Sequence, residues 1–232
     1  MISDRELMRL HVETLFTHDE CGDLVAVNEP GGSAAPRLFI GLTREGTVLR
    51  FRHDVAADLR TELKAEYEHA PQHMRDLAAR AAQSRYEAVL GRSGSVTRTW
   101  AGPAFCFPEV GSSTLHAVAV TKHNADVLSP LLEDWIPDVE LCQPMIAMSV
   151  SGCAVAVCGS VRRTAAAHEA GVETAPRYRR AGFASQAVSA WAGAVRDIGP
   201  VPLYSTSWLN EASLAVAHRL CLRSFGNDLH IT

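Results

Sequence analysis

A basic turn with a single glycine lies in the C-terminal half of the chain. Its sequence is YRRAGFA, residues 178–184, and Gly182 stands directly ahead of a helix-forming segment. The N-terminus of a helix exposes unbonded N–H groups and a partial positive charge, and a glycine there lets the backbone approach a ligand closely. Arg177, Arg179 and Arg180 can add charge-assisted hydrogen bonds. These residue types at this spacing predict a site for an anion such as phosphate or pyrophosphate.

The turn lacks two common nucleotide-binding motifs. It has neither the glycine-rich loop that ends in Gly-Lys-Ser/Thr nor the Gly-x-Gly-x-x-Gly fingerprint. A lone Arg-x-x-Gly-x-Ala pattern is equally compatible with solvated arginines ahead of an ordinary helix. The turn alone therefore leaves two interpretations open, an anion site and a basic surface.

Three groups that could accept a proton precede the turn. Glu169 and Glu173 are four residues apart in a predicted strand, Glu169–Thr174, so alternation places both carboxylates on one face. His168 has a suitable unperturbed pKa and falls on the opposite face. Any of the three could act as a general base. For each of them, a structural or surface role is the competing interpretation.

Helices and strands alternate around the turn. The helix that begins near Gly182 presents an apolar stripe formed by Ala184, Val188, Trp191 and Val195. Gly199-Pro200 ends this helix, and PLYSTS follows as a strand. Asn210 then opens a helix with three inward residues, Leu214, Ala217 and Leu220. The final DLHIT is predicted as a short edge strand.

The segment before the turn adds a strand, a helix and a hairpin. LHAVAVT (Leu115–Thr121) predicts a strand, and Asn124–Trp135 predicts a short helix with Val127, Leu131 and Leu132 inward. MIAMSV and CAVAVC enclose Ser151-Gly152, which indicates a β-hairpin. Strands that flank crossover helices are typical of an α/β or α+β domain.

The N-terminal half contains a short helix, a loop rich in proline and glycine, and then a hairpin. RLFIGLT and TVLRFRH flank Arg44–Gly46 as the strands of that hairpin. Asp54 is predicted to cap a helix, and a second helix runs from Met74 to Leu90. The following GRSGS is the best linker candidate. We therefore divide the chain into an N-terminal α/β region, residues 1–110, and a C-terminal domain, residues 111–232.

Composition disfavours several classes of protein. The 232 residues are 47% hydrophobic and 21% charged, with a formal net charge of −4, so no global field attracts nucleic acid. The first residues lack the pattern of a secretory signal, and no apolar stretch has the length of a membrane helix. The six cysteines are scattered, mostly in apolar runs, and neither HExxH nor a Cys/His cluster occurs. We expect a cytoplasmic protein with free thiols and with no metal, nucleic-acid or membrane partner.

In this context the chain resembles the GNAT superfamily of acyl-CoA-dependent N-acetyltransferases. The pyrophosphate-binding signature of that family is Arg/Gln-x-x-Gly-x-Gly/Ala between a strand and a long helix, and Arg179, Gly182 and Ala184 match it. Pro176 and Tyr178 are similar to the residues with which the family approaches this signature. The resemblance covers about half of the chain. It implies a GNAT-like fold, with a mixed, mostly antiparallel twisted sheet flanked by helices.

The resemblance implies acetyl-CoA as the acyl donor and an amine as the acceptor. The residues that would hold acetyl-CoA are Val172, Glu173 and Thr174 beside the pantetheine arm, Arg179, Arg180, Ala181, Gly182, Phe183 and Ala184 around the pyrophosphate, and Asn210 and Ser213 on the other side of the pantetheine. A plain helix cap is the alternative role of Asn210. In the family a strand carboxylate accepts the proton of the amine, which here implies Glu169 or Glu173.

The chain departs from the family pattern on its last predicted helix. The family often has a tyrosine seven positions after the residue that matches Asn210, and this chain has Ala217 there. Cys221-Leu222 replaces a usual Gly-Phe pair. The proton donor is therefore open among water, Ser213 and Tyr204, and the thiolate could also leave unassisted. A non-catalytic acyl-CoA-binding or regulatory module is the alternative function, and a structural domain without a cofactor is a more distant one.

The N-terminal half carries no motif that assigns it a role. Four interpretations stay open for its hairpin and helices: a degenerate second copy of the same fold, a cover for the acceptor site, a dimerisation surface that would make the protein a homodimer, or an ordinary half-buried sheet. Acceptor specificity is expected to depend on this half.

Overall fold

A computed structural model describes residues 2–69, 83–108 and 117–232 of the protein. The helices are α1 (Asp4–Leu15), α2 (Ala57–His69), α3 (Phe183–Asp197) and α4 (Glu211–Arg219), and residues 83–91 are also helical. The strands are β1 (Phe16–His18), β2 (Leu24–Val27), β3 (Leu38–Thr43), β4 (Gly46–Phe51), β5 (Thr99–Cys106), β6 (Ala117–Ala119), β7 (Met145–Val150), β8 (Cys153–Arg163), β9 (Ala167–Thr174), β10 (Val201–Ser205) and β11 (Arg223–Ile231).

The chain divides into two compact units. The first unit contains Met1–Ala104, Thr206–Leu209 and Ser224–Thr232, and the second contains Phe105–Ser205 and Asn210–Arg223. The boundary predicted between residues 110 and 111 lies outside the described residues and stays a prediction.

The strands of the first unit follow the order β4-β3-β11-β5. β3 pairs antiparallel with both β4 and β11, which confirms the hairpin predicted around residues 44–46. On one face Leu38 and Ile40 of β3 join a buried core with Leu63 of α2. On the other face Met8 of α1 lies directly against Gly41. Helices therefore cover both faces of β3.

Two expectations for the first unit are wrong. β11 is a nine-residue strand between β3 and β5, and not a short edge strand. Its polar residues Asp228, which is buried, and His230, which is partly buried, are hydrogen-bonded to each other. Helix α2 begins at Ala57, so Asp54 is not its cap residue. The Asp54 carboxylate instead accepts hydrogen bonds from Arg52, at 2.7 and 3.0 Å. Of the helix predicted over residues 74–90, residues 74–82 lie outside the described residues.

A buried polar network ties α1 to β11 in the first unit. The Oδ2 atom of Asp228 lies 2.8 Å from Nε2 of His11 and 2.9 Å from Nε2 of His230. Asp228 is 1% exposed, and its Oδ1 atom is buried with no hydrogen-bond partner among the described residues. Burial alone would raise the pKa of this carboxyl, but the charges and hydrogen bonds of His11 and His230 outweigh burial and lower the pKa to about 2. Asp228 is therefore ionised inside the protein.

The strands of the second unit follow the order β10-β9-β8-β7-β6. Neighbours pair antiparallel except β9 and β10, which are parallel. β7 and β8 form the hairpin predicted around Ser151-Gly152. The predicted stripe of α3 is largely confirmed, since Val188, Trp191 and Val195 are buried in one core cluster. Of the strand predicted over residues 115–121, residues 117–119 form β6, and residues 115–116 lie outside the described residues.

The segment predicted as one helix over Asn124–Trp135 is instead two short 3-10 turns. They span Ala125–Leu128 and Glu133–Asp138. Pro130 lies between them, and a proline lacks an N–H group and disfavours helical backbone at the preceding residue. Of the three residues predicted to face inward, Leu132 is buried in a second core cluster with β7 and β8, and Val127 and Leu131 pack against that cluster partly buried. Leu128, which was not predicted, is also buried there, so the inward residues were predicted in part and the conformation was not.

The predicted fold class is confirmed. The structure is a mixed α/β arrangement with mostly antiparallel strands flanked by helices. Among the described residues, the helices fall short of the length and apolar character that crossing a membrane requires.

Candidate functional site

The parallel strands β9 and β10 separate partway along their length. Their register pairs Val201 with Ala167, Pro202 with His168 and Leu203 with Glu169. β9 then continues to Thr174, while β10 ends at Ser205. Within the part of the chain that the structure describes, residues 170–174 pair with β8 on one side and with no strand on the other. This leaves an open strand edge in the second unit.

Backbone groups of β9 point toward that open edge. The N–H of Ala175 donates to the Val155 carbonyl of β8 at 2.9 Å. Because backbone groups alternate in direction along a strand, those of Gly171 and Glu173 also point toward β8, and those of Val172 and Thr174 point away from it. The Thr174 carbonyl accepts a hydrogen bond from Nε of Arg179 at 3.2 Å. The edge thus offers amide groups to an extended ligand.

The predicted anion turn follows β9 directly. A 3-10 turn spans Pro176–Tyr178, Arg180 adopts a left-handed backbone with φ 63°, and Gly182 precedes α3 with φ 89°. Left-handed backbone is strained for arginine and easy for glycine. Among the residues that the structure describes, no side-chain hydrogen bond caps the start of α3. The first N–H groups of the helix are therefore available to a ligand.

A further arginine, which we did not predict, lies against the turn. A Cβ atom added to Gly182 would lie 3.3 Å from the guanidinium carbon of Arg219, at the end of α4. Nothing in the sequence near the turn indicates Arg219, because only the packing of α4 brings it there. Of the predicted arginines, Arg177 lies over the ring of Tyr178, 5.4 Å from its centroid. Arg179 and Arg180 are exposed.

A polar atom without a partner lies at the junction of strand and turn. The Oγ1 atom of Thr174 is buried, and it has no hydrogen-bond partner among the residues that the structure describes. Buried hydroxyl groups are normally hydrogen-bonded, so this one calls for a partner from outside the described residues, such as a ligand group or water. Thr174 was predicted as a binding residue through its backbone.

Asn210 and Ser213 begin α4 as predicted. The Oδ1 atom of Asn210 accepts a hydrogen bond from the N–H of Ser213 at 3.1 Å, so Asn210 is a helix cap in this structure. The Ser213 hydroxyl lies 2.5 Å from the hydroxyl of Tyr204. Burial raises the pKa of Tyr204 to about 12, although its hydrogen bond with Ser213 acts in the opposite direction. Tyr204 is therefore protonated at neutral pH.

The two predicted carboxylates occupy different environments. Glu169 is 2% exposed, stands at the last paired position of β9 and β10, and accepts a hydrogen bond from the Ser205 hydroxyl at 3.3 Å. Glu173 is exposed and accepts a hydrogen bond from Nε1 of Trp135 at 2.7 Å. Glu169 is thus the carboxylate located where the strands separate.

His168 faces the opposite side of the sheet, where α3 packs. Its Nδ1 atom lies 2.9 Å from the Ser160 hydroxyl, which also accepts a hydrogen bond from Nε1 of Trp191 at 3.0 Å. Burial, followed by the nearby charge of Arg163, lowers the pKa of His168. The structure therefore does not bring His168 together with either glutamate.

No cluster of metal-binding side chains is found in the described ranges of the chain. In these ranges no three His, Cys, Asp or Glu side chains are placed to hold a metal ion. The donors of the candidate site are backbone amides, hydroxyls and arginines, which suit an anionic organic ligand.

Comparisons with known proteins return solved structures only. No protein-family model matches the chain, and no curated protein matches its sequence. The chain is similar to a solved protein from Novosphingobium aromaticivorans that is assigned to the GNAT family of acetyltransferases, with 18% identity and a TM-score of 0.49. That match covers 59% of this chain and 65% of the other chain, just under two thirds of its length.

Two other solved structures match more of the chain. One is a GCN5-related N-acetyltransferase-like protein from Streptococcus suis, with 16% identity, a TM-score of 0.47 and 85% of each chain covered. The other is a GCN5-related N-acetyltransferase from Kribbella flavida, with 14% identity, a TM-score of 0.47, and 99% of this chain and 95% of the other covered.

Proposed function

We propose that the protein is a GNAT-type N-acetyltransferase that transfers an acetyl group from acetyl-CoA to a primary amine of a small molecule or protein, by direct transfer with both substrates bound. One observation carries this proposal. The open edge of β9, beyond Glu169, is followed by the turn to α3. Gly182 is the residue that precedes α3, and in the described part of the chain no side-chain hydrogen bond caps this helix start. The proposed catalytic part is the second unit.

The chemistry of acetyl-CoA fits this arrangement. Its pantetheine arm carries amide groups, which can pair with backbone groups of Val172 and Thr174 along the open edge as an added strand would. Its pyrophosphate suits the uncapped N–H groups at the start of α3. The unpartnered hydroxyl of Thr174 lies between these two features. Strand edge and helix start are thus in the order in which the ligand presents its groups.

Arginine side chains favour the negative end of the ligand. Arg179, Arg180 and Arg219 are exposed, and all three lie in or against the turn. Guanidinium groups bind phosphate oxygens with charge-assisted hydrogen bonds. We propose that they hold the phosphates of CoA together with the backbone.

The residues around the end of the strand pairing supply the chemistry of transfer. Acetyl-CoA provides an acetyl group activated as a thioester. Glu169 accepts the proton of the amine, in our proposal, because it is the carboxylate at the point where the strands separate. The amine nitrogen forms a bond to the acetyl carbon, the carbon–sulfur bond of the thioester breaks, and the departing thiolate takes a proton. We propose the hydrogen-bonded hydroxyls of Tyr204 and Ser213 as donors of that proton. They would take the role that Ala217 cannot perform.

Binding of acetyl-CoA is the first expected result. Titration by calorimetry should show saturable binding of acetyl-CoA, and of CoA, at concentrations up to the millimolar range. Inorganic phosphate should bind far more weakly, because it lacks the arm that pairs with β9. Absence of any heat of binding for acetyl-CoA would contradict the proposed function.

Turnover separates an enzyme from an acyl-CoA-binding module. Release of free thiol from acetyl-CoA in the presence of a broad amine panel should exceed the release without amine. Ala217 favours the alternative, since the helix lacks a tyrosine there. Tight binding with no thiol release for any amine would support the regulatory module and reject the enzyme.

Glu169→Gln should lower kcat by about 100-fold or more, because a general base typically contributes that much to a rate. Calorimetry should show unchanged acetyl-CoA binding, which establishes that the variant is folded. Glu173→Gln is the matched control, and it should retain most of the activity because Glu173 is exposed and held by Trp135. The opposite ranking of the two variants would assign the base to Glu173.

A further inference from the structure

A cavity lies at the end of β9 that is remote from Gly182. Its volume is about 580 Å³, and it lies between the turn that begins β9 and the residue that follows α3. Its lining includes Pro144, Arg163, Ala165, His168 and Ile198. The strand edge and the arginines of the proposed acetyl-CoA site take no part in it.

His168 lines this cavity, and its hydrogen bonds fix the position of its ring proton. Trp191 can only donate through Nε1, so the Ser160 oxygen accepts that hydrogen bond and its own hydrogen needs an acceptor. Nδ1 of His168, at 2.9 Å, is the acceptor found among the described residues. The ring proton of neutral His168 is therefore on Nε2. Nε2 has no hydrogen-bond partner in the described part of the chain, and His168 as a whole is 5% exposed.

A positive charge and an apolar wall complete the cavity. Nη1 of Arg163 donates to the Gln143 carbonyl at 3.3 Å, which holds the guanidinium along the rim. Pro144, Ala165 and Ile198 form the apolar wall. Ile198 is 63% exposed, which is unusual for a large aliphatic side chain and leaves its surface available for a ligand.

We propose that this cavity binds a small monocarboxylate with a short hydrocarbon chain. One carboxylate oxygen accepts the hydrogen bond of Nε2–H of His168, and the negative charge faces Arg163. The hydrocarbon chain packs against Pro144, Ala165 and Ile198. A nearly buried N–H donor near a guanidinium favours an anion over a cation or a neutral alcohol, because an anion accepts the hydrogen bond of Nε2–H and is attracted by the positive charge of Arg163.

Butyrate is a suitable probe, followed by nitrogen NMR of the histidine side chains in the full chain. In the free protein we expect Nδ1 of His168 to be unprotonated and Nε2 to carry the proton. Butyrate should shift the Nε2 resonance in a saturable way within the tens of millimolar. The exposed His218 serves as an internal control and should not shift. Butanol, which has a similar chain without the charge, should have no effect on either residue.

Two exposed positions test the cavity without threatening the fold. Arg163→Gln should weaken butyrate binding by about fivefold, the upper end of the scale of an exposed charge pair. Ile198→Ser should weaken it several-fold through the lost apolar contact. Arg44→Gln, at an exposed arginine of the first unit, should change nothing. The proposal is overturned by an unshifted His168 resonance, by equal binding of butanol, or by full affinity in Arg163→Gln. The binding of acetyl-CoA is measured by a separate titration, so failure of the cavity proposal leaves the proposed function intact, and the reverse also holds.

Discussion

Gly182→Glu is expected to abolish acetyl-CoA binding while the protein stays folded. Gly182 has φ 89°, and a Cβ atom there would approach the guanidinium carbon of Arg219 to 3.3 Å. Glutamate therefore places bulk and negative charge where the pyrophosphate is proposed to lie, and facing like charges strongly disfavour binding. We expect affinity to fall by about 100-fold or more. The melting-temperature rise at saturating acetyl-CoA, about 5–10 °C for the unmodified protein, should disappear.

Gly199→Glu is the matched control for that substitution. Gly199 follows α3 at its other end, also has positive φ, at 110°, and has no atom within 4 Å of an added Cβ. The strained backbone should lower the folding stability of this variant by a similar amount, about 1–2 kcal/mol, without contact with the proposed site. It should therefore bind acetyl-CoA like the unmodified protein. Equal affinity of Gly182→Glu and the unmodified protein would place the phosphates elsewhere.

Asp228→Asn should destabilise the first unit severely. The substitution removes the charge that holds the two buried N–H groups of His11 and His230. Loss of a charged acceptor costs about 1.5–3 kcal/mol for each hydrogen bond, because the donor groups stay without compensation. The melting temperature should fall by about 10 °C. Asp134→Asn, at an exposed carboxylate, should change stability by less than about 0.5 kcal/mol.

Acid should reduce the difference in the free energy of unfolding between Asp228→Asn and the unmodified protein. The pKa of Asp228 is lowered to about 2 in the folded protein, whereas an unfolded aspartate titrates near ~3.9. Between these values the unfolded chain binds more protons, so the stabilisation from Asp228 is complete above about pH 4 and is lost as the pH falls through about 2. Urea denaturation at several pH values measures the difference. A difference in unfolding free energy that stays constant down to pH 2 would contradict an ionised Asp228.

Local parts of the candidate site were predictable because each depends on neighbouring residues. The strand before the turn, the glycine at the helix start and the cap formed by Asn210 each leave a pattern within a few residues. The hairpin around Ser151-Gly152 is of the same kind. Alternation also placed His168 on the face opposite Glu169.

Other features depend on residues that are distant in the sequence, and the sequence alone did not indicate them. Arg219 reaches Gly182 only through the packing of α4. The residue at which β9 and β10 cease to pair is set by tertiary structure, and it distinguishes the setting of Glu169 from that of Glu173. The position of β11 inside its sheet was missed because a buried Asp–His network looks like an exposed polar strand.

The interleaved course of the chain has a consequence for its synthesis on the ribosome. β11 lies between β3 and β5, yet it is encoded after every element of the second unit. Domains usually fold in the order in which they emerge, with the N-terminal one first. Here the first unit cannot complete its sheet until β11, Arg223–Ile231, leaves the exit tunnel. A nascent chain stalled before residue 224 would hold β3 and β5 with the strand between them still missing.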